Sequence, residues 1–157
     1  MNITRLPAAQ AHELWPLLCV VHDLHVDHQP QRYVANPDRD QCVTWLSETL
    51  KGPDHIAFVA RDLEGTAIGY ILCHKRSGAD APMIPARNHG LIEHISVLPS
   101  HHRQGIGHAL IEVLREHLKD EGYTTMGAIY GTFNAASAEL MKSAGLLPVS
   151  NYAEGAV

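Results

Sequence analysis

Two groups of side chains in this sequence have types and spacings that could do chemistry. The first is the segment 102–108, HRQGIGH, in which two glycines stand among basic and amide side chains. Glycines remove side-chain bulk, and the first N–H groups of a helix carry the positive end of its dipole, so a loop of this kind at a helix start favours a phosphate-bearing ligand. The second is the pair Glu93 and His94, a carboxylate and an imidazole that could each accept a proton.

The glycine segment stands between a predicted strand and a predicted helix. Residues 91–98 are rich in β-branched and apolar side chains, which is typical of a strand, and Pro99 ends it. From Gly105 onward, apolar residues recur at helical spacing. They are Ile106, Ala109, Leu110, Val113, Leu114 and Leu118. The loop 100–107 therefore ends where a helix begins.

Two common phosphate-binding motifs do not fit this loop. A Walker-type loop needs Lys and then Ser or Thr after its last glycine, and His108 follows Gly107. A dinucleotide-binding fingerprint needs a third Gly or Ala three positions after the second glycine, and Leu110 stands there. The remaining interpretation is a loop that binds the pyrophosphate of an acyl-CoA.

The segment 102–107 resembles the first signature of the GNAT family of N-acetyltransferases. That signature is Gln or Arg, two residues, Gly, one residue, then Gly or Ala; here His102 has the first position, with Arg103 beside it. The segment 133–146 is similar to the second signature of the family, an Asn before a helix and a Gly followed by a large apolar residue. Met141 stands where the family usually has a tyrosine. The resemblance in the order of elements covers nearly all of the chain.

The resemblance implies an α/β fold, with a mixed, mostly antiparallel central sheet and helices on both faces, which is the acyl-CoA N-acyltransferase fold. Periodicity and turn residues predict the same order of elements. The predicted strands are 2–6, 55–61, 66–75, 91–98, 123–130 and 147–152. The predicted helices are 8–25, bent near Pro16, then 37–50 with Asn36 as its N-cap, 105–119 and 134–143. The turn 62–65 predicts an antiparallel hairpin, and 76–88 a long loop.

The resemblance also implies acetyl-CoA as the co-substrate and gives site residues by position. The pantetheine arm would pair with the strand at Ile95, Ser96 and Val97, where a backbone N–H would stabilise the thioester carbonyl oxygen. The residues expected to hold the phosphates are Arg103, Gln104, Gly105, Ile106, Gly107 and His108. Those expected to complete the cofactor site are Asn134, Ser137 and Met141. Lys142 is a further candidate for the phosphates.

Direct acetyl transfer to a primary amine, which the resemblance implies, requires a base. Glu93 is the predicted base, and His94, which strand alternation places on the opposite face, is the alternative. A purely structural pairing of Glu93 with a neighbouring basic group stays open. Met141 cannot donate a proton, and nothing in the sequence brings Tyr130 or Tyr152 near the sulfur. Because a thiol has a pKa of about 8.5, transfer without a dedicated acid is the expectation.

The sequence contains 12 histidines, three of them in the run HDLHVDH at His22, His25 and His28. In the family, the region after the first helix forms the acceptor pocket, which implies His25, His28 and Tyr33 as substrate-binding residues. A spacing of three gives a drifting helical stripe in which only adjacent pairs could share one ion, so no metal site is predicted here. An exposed polar helix end is the simpler interpretation of the stripe.

Composition and charge limit the remaining classes of protein. A length of 157 residues with 45% apolar and 18% charged residues predicts one globular domain over 1–157. A net charge of −5 argues against nucleic-acid binding. Three scattered cysteines, no signal peptide and no membrane span predict a cytoplasmic protein with reduced thiols. The acceptor, a small-molecule or peptide amine, is left open, as is the homodimer that the resemblance suggests.

Two other functional classes stay open. A non-catalytic acyl-CoA-binding module is compatible with His102 and Met141 at the two atypical signature positions. A His-rich metal-binding protein of similar fold would instead bind zinc or nickel, with binding lost in His25→Ala and no affinity for CoA.

Overall fold

A single sheet of five strands forms the centre of the computed structural model, which describes residues 1–79 and 81–155. The strands are β1 (Asn2–Arg5), β2 (His55–Arg61), β3 (Ala67–Arg76), β4 (His89–Val97) and β5 (Thr125–Ala128). They lie side by side in chain order; the first four pair antiparallel, and β4 pairs parallel with β5. The mixed, mostly antiparallel sheet is therefore confirmed.

Helices cover both faces of the sheet, as expected. They are α1 (Trp15–His28), α2 (Arg39–Lys51), α3 (Ile106–Asp120) and α4 (Ala135–Ser143), with a short 3-10 helix (Ala8–Leu14) before α1. One core layer lies between the sheet and α3 and α4, and a second between the sheet and α1 and α2. None of the helices in the described part of the chain has the length and apolar character needed to cross a membrane.

The first predicted helix is in fact two. The 3-10 helix ends at Leu14, and α1 starts at Trp15 with Pro16 in its first turn. Proline has no N–H to donate and fits only the start of an α-helix, so the break comes just before it rather than as a bend. The helix α1 then continues to His28, beyond the predicted end at residue 25.

The N-cap expected for the second helix is wrong. Asp38, not Asn36, caps α2, and its carboxylate accepts a hydrogen bond from the N–H of Gln41 at 2.8 Å. Asp and Asn are equally good N-caps, so residue type could not decide between the two positions. Asn36 instead has a φ of 52° in the connection before the helix.

The C-terminal segment also differs from the prediction. Residues 147–152 form no strand, and β5 has four residues rather than the eight expected. The apolar side chains of Leu147, Val149 and Tyr152 are 66, 96 and 80% exposed. Strand propensity reflects packing on a half-buried surface, and these side chains have no such surface to cover.

The hairpin of β2 and β3 is confirmed. The carboxylate of Asp62 accepts hydrogen bonds from the N–H groups of Glu64 and Thr66 at 3.0 and 2.8 Å, which closes the turn. The resulting register places His55 of β2 directly opposite His74 of β3.

Strand β4 contains one unpaired residue, Glu93. Leu72 of β3 pairs with His94, and the next residue, Cys73, pairs with Ile92, so Glu93 has no partner on β3. This is the geometry of a β-bulge. Because of it, Ile92 and Ile95, three positions apart, both pack in the layer under α3 and α4.

Candidate active site

A cleft opens where β4 and β5 separate. Their pairing runs from His89 and Thr125 to Ile92 and Ala128, after which β4 continues to Val97. Over residues 93–97, the edge of β4 away from β3 pairs with no other strand of the described chain. An open strand edge offers N–H and C=O groups to an extended ligand. The cleft is lined by Val21, His25, Ile92, Glu93, His94, Ile95, Ala128, Ile129, Tyr130, Asn134, Ser137 and Met141.

The three residues expected to pair with pantetheine have different surroundings. Ile95 lines the cleft. The Ser96 side chain is 6% exposed, and its hydroxyl donates to the carbonyl oxygen of Leu17 at 2.8 Å, which ties β4 to α1. The carbonyl oxygen of Val97 accepts a hydrogen bond from Nε2 of His102 at 2.9 Å. The imidazole of His102, at the first position of the first signature, thus points back to the end of β4.

The start of α3 is built to leave its backbone N–H groups unused. Gly105 is the N-cap residue with a φ of 77°, a left-handed conformation in which a Cβ would be strained. No side chain caps this helix and no acidic residue lies in its first turn, whereas Asp38 and Asn134 cap α2 and α4. The first turn therefore presents unpaired donors at the positive end of the helix dipole.

Gly107, the last position of the first signature, packs closely against α4. A Cβ on Gly107 would lie 3.0 Å from Cδ2 of Leu140, so a larger residue would require the leucine side chain to shift. Around this turn, Arg103, Gln104 and His108 are exposed. Gln104 Nε2 donates to the carbonyl oxygen of Ser100 at 3.4 Å.

Two exposed cations are candidates for the phosphates. Neither Arg103 nor Lys142 makes an ion pair with any residue in 1–79 or 81–155. Arg103 has a φ of 59°, which turns the chain immediately before the glycines. A guanidinium and an ammonium without partners suit phosphate oxygens.

The second signature forms the far wall of the cleft. The amide oxygen of Asn134 accepts from the N–H of Ser137 at 3.0 Å and so caps α4. An amide has donors on its nitrogen as well, so capping leaves the NH₂ group for a ligand. Met141 is 2% exposed, belongs to the core under α3 and α4, and also lines the cleft.

Glu93 lies beside two imidazoles that stack on each other. Its carboxylate oxygens lie 3.4 Å from Nε2 of His55 and 3.6 Å from Nδ1 of His74, and the two rings stack with centroids 4.4 Å apart. Neither histidine was among the residues expected in the site. The sequence held a usable signal, because a hairpin of the predicted length brings residues near 55 and 74 opposite each other.

The expectation that His94 faces away from Glu93 is wrong. His55 is two residues from Ala57, and His74 is two residues from Leu72, so both histidines share the face of the layer under α1 and α2. Glu93 contacts both histidines and therefore lies on that face. The ring of His94 is on the same face: its Nδ1 is hydrogen-bonded to Oη of Tyr70, a buried member of that layer, at 3.0 Å. A β-bulge interrupts alternation, so two consecutive side chains share one face.

The environment of His94 keeps its imidazole neutral. Burial lowers the pKa of His94, because the apolar layer under α1 and α2 disfavours the charged form. Trp45 of α2 packs near the ring, with centroids 6.0 Å apart. His94 therefore presents a neutral imidazole to the cleft at neutral pH.

The residues expected to bind the acceptor do come together. The ring of His25 lies 5.0 Å from that of Tyr33 and 5.5 Å from that of Phe133, while His28 stacks on Phe133 at 4.4 Å. Nδ1 of His25 donates to the carbonyl oxygen of Val21, and Nδ1 of His28 to that of Leu24. We call these four rings, His25, His28, Tyr33 and Phe133, the aromatic group; Phe133 was not expected in it.

The structure distinguishes the two tyrosines that the sequence could not assign. Tyr130 follows β5 and lines the cleft together with Glu93. Tyr152 is 80% exposed, and its ring lies under the guanidinium of Arg32 at 5.9 Å.

The fold is similar to that of several solved proteins, including two that are named as N-acetyltransferases. The tetramutant of the BH1408 protein from Bacillus halodurans superposes with a TM-score of 0.89 at 18% identity, over 100% of both chains. Ribosomal-protein-alanine N-acetyltransferase from Brucella melitensis biovar Abortus gives 0.70 at 18% identity, over 100% of this chain and 99% of the other. The aminoglycoside N-acetyltransferase AAC(6')-Iy, in complex with CoA, gives 0.71 at 18% identity, over 99% and 93%.

Sequence comparison points the same way. A search of curated proteins found no significant match. The acetyltransferase (GNAT) family matches residues 19–146, a segment that contains the cleft, the α3 start and both signatures. This chain therefore belongs to the GNAT family of N-acetyltransferases, for which acetyl-CoA is the co-substrate.

Proposed function

We propose that this protein transfers the acetyl group of acetyl-CoA directly to a primary amine, with Glu93 as the base. The observation that carries the proposal is the joint position of an open β4 edge, a carboxylate and a neutral imidazole in one cleft beside the uncapped start of α3. In this proposal, residues 1–157 act as one domain.

The residues present fit acetyl-CoA, which when bound supplies an activated acyl thioester. The N–H groups of Gly105, Ile106, Gly107 and His108 hold the pyrophosphate. Arg103 and Lys142 add positive charge. Ile95 and Val97 offer backbone groups to the amides of the pantetheine arm, and an N–H near Val97 polarises the carbonyl oxygen.

Glu93 takes a proton from the ammonium of the acceptor, directly or through a water, and the neutral amine then attacks the thioester carbonyl, with the CoA sulfur leaving as the thiolate. His55 and His74, within 3.6 Å of its carboxylate and 22 and 28% exposed, can pass that proton toward solvent. His94 is the second candidate base, favoured by its neutral state. Tyr130 is the candidate donor to the departing sulfur, because this residue lines the same cleft.

The acceptor proposed here is a small-molecule or peptide amine that arrives as a cation. Tyr33 and Phe133 of the aromatic group support this class, because the faces of Tyr and Phe rings attract cations. The net charge of −5 also favours a cationic acceptor.

The first experiment is calorimetry with acetyl-CoA on the wild type and on His108→Glu. Wild type is expected to bind in the low micromolar range, about −8 kcal/mol. In His108→Glu, a carboxylate at the third position of α3 can accept hydrogen bonds from the free N–H groups and repels the phosphates. Affinity for acetyl-CoA should therefore fall about tenfold while thermal stability is retained. His108→Gln is the neutral control. A substitution at Gly107 would be ambiguous, because it also disturbs Leu140.

Release of the CoA thiol with a panel of primary amines then separates the functional classes. Turnover supports the transferase. Tight binding without turnover of any amine favours the non-catalytic acyl-CoA-binding module, and absence of binding by the wild type contradicts the whole proposal.

A further inference from the structure

Three neighbouring strands bring three metal-ligand side chains to one point. His55 of β2 and His74 of β3 are direct cross-strand partners, and the β4 bulge adds the carboxylate of Glu93 from the next strand. One nitrogen from each imidazole and one carboxylate oxygen lie within 4.8 Å of one another. Strands position side chains more rigidly than loops do.

The donor atoms are close enough to surround one ion but too far apart for good hydrogen bonds. Oε2 of Glu93 lies 3.4 Å from Nε2 of His55, and Oε1 lies 3.6 Å from Nδ1 of His74. Both distances are beyond the roughly 2.7–3.2 Å of a good N–H···O hydrogen bond. The two rings stack within 15° of parallel, so one ring must rotate to direct its nitrogen at a shared ion.

The chemistry of the donors is also right for a borderline divalent cation. Two imidazoles and one carboxylate are a known three-ligand set for zinc, with a fourth position left open. The side chains of His55, His74 and Glu93 are 22, 28 and 31% exposed, so solvent can reach that position. Nε of Arg76 lies 3.3 Å from Nδ1 of His74 and donates to it, and in the tautomer with Nδ1 unprotonated the same lone pair could bind a metal ion. Arg76 is exposed and can move aside.

We propose that His55, His74 and Glu93 form a binding site for Zn²⁺ or a similar transition-metal ion. The carboxylate of Glu93 would coordinate the ion and would then not be free to accept a proton. If Glu93 is the base, as the proposed function holds, the bound ion inhibits acetyl transfer. The binding of metal itself does not depend on that assignment.

The test is titration of metal-free protein with Co²⁺, followed by the visible absorption that distinguishes tetrahedral from octahedral cobalt, with Zn²⁺ as competitor. Wild type is expected to bind one Co²⁺ with a tetrahedral spectrum. His74→Ala and Glu93→Gln should weaken binding at least about 100-fold, since even outer-shell partners of a metal are worth roughly 10–100-fold. His12→Ala, which removes an exposed histidine of the 3-10 helix, is the matched control. Circular dichroism checks that each variant folds.

Two results would overturn the site. One is wild-type affinity and spectrum retained in both His74→Ala and Glu93→Gln. The other is binding that disappears in His25→Ala, which would locate the metal on the α1 histidines. Zn²⁺ inhibition of acetylation, measured against each variant's own metal-free rate, is a separate readout. If metal binds as expected and activity is unchanged, the site stands and Glu93 is not the base.

Discussion

Glu93 has several neighbours that could use its carboxylate. His55 and His74 lie beside it on the sheet, His94 follows it in the chain, and the cleft lies in front of it. The Glu93 side chain is 31% exposed at the wall of this cleft, so its carboxylate is accessible to a ligand. That position is suited to exchanging protons with a ligand.

Glu93→Gln should lower kcat/KM for the amine about 10²–10⁴-fold at neutral pH, because the amide keeps the shape of the side chain but cannot take a proton. Affinity for acetyl-CoA should be unchanged. Steady-state kinetics and calorimetry on the same preparation measure both. A rate within a few-fold of wild type, together with a large loss in His94→Gln, would transfer the role of base to His94.

His94 should make the fold sensitive to acid. Burial lowers the pKa of His94, so as pH falls through 6.5 the unfolded chain takes up a proton that the folded chain does not. Stability is therefore lost as pH falls below 6.5, by at most about 1.4 kcal/mol per pH unit from this group. Urea unfolding at pH 7.5 and 5.5 should show a smaller difference for His94→Gln than for wild type. Equal differences would contradict the assignment, and His12→Gln should behave as wild type.

At the scale of elements, the helix starts differ in their caps. Asp38 and Asn134 cap α2 and α4, α1 continues directly from the 3-10 helix, and α3 begins without a side-chain cap beside the cleft. A helix end without a cap costs stability, so its position next to the proposed phosphate site is consistent with a functional use.

Asn134 both caps α4 and is a proposed acetyl-CoA ligand, and substitutions can separate these two roles. Asn134→Ala should lower the free energy of unfolding by about 1 kcal/mol, because the N–H of Ser137 loses its acceptor. Asn134→Ser keeps a capping oxygen and should recover most of that loss. Neither variant has the amide NH₂ group, so both should bind acetyl-CoA more weakly. Full affinity in the serine variant would limit Asn134 to the cap.

Local signals predicted the elements that depend on local chemistry. The glycines at 105 and 107, the proline at 99 and the turn at 62–65 have direct conformational effects, and the corresponding strand, helix and hairpin are present. The strand expected at 147–152 failed because its formation needs a surface to pack on, which local propensity does not report.

The β4 bulge and the positions of His55 and His74 depend on pairing between strands, which the sequence of a single strand does not reveal. Ile92 and Ile95 are spaced by three within a strand, and this departure from alternation was the available sign of the bulge. Regular alternation without a bulge predicts Glu93 and His94 on opposite faces. His55 was absent from the expected site because its partners, His74 and Glu93, lie on other strands.

For the molecule as a whole, the balance of charge depends strongly on pH. The net charge is −5 with histidines neutral, and the chain has 12 histidines and an isoelectric point near 6.1. Long-range fields of this kind act mainly on the rate of encounter with a charged ligand.

Association with the anionic acetyl-CoA should therefore accelerate several-fold between pH 8 and pH 6 at low ionic strength. Stopped-flow fluorescence gives the association rate, and the acceleration should vanish at high salt, where screening is nearly complete beyond a few ångströms. A pH dependence that persists in salt would show that groups inside the cleft, rather than the net charge, are responsible.

The β4 bulge makes Glu93 an extra residue in the strand. It shifts the alternation by one position, so that Ile92 before it and Ile95 after it serve the same core layer. Ile92 and His94 pair with consecutive residues of β3, so deleting Glu93 would leave a regular ladder in which Ile92, His94 and Ile95 keep their faces. A one-residue deletion here should therefore remove the carboxylate and leave both core layers in place, whereas a deletion on either side of the bulge would carry part of the strand to the wrong face. The strand thus carries the proposed base on the one residue that its pairing with β3 does not use.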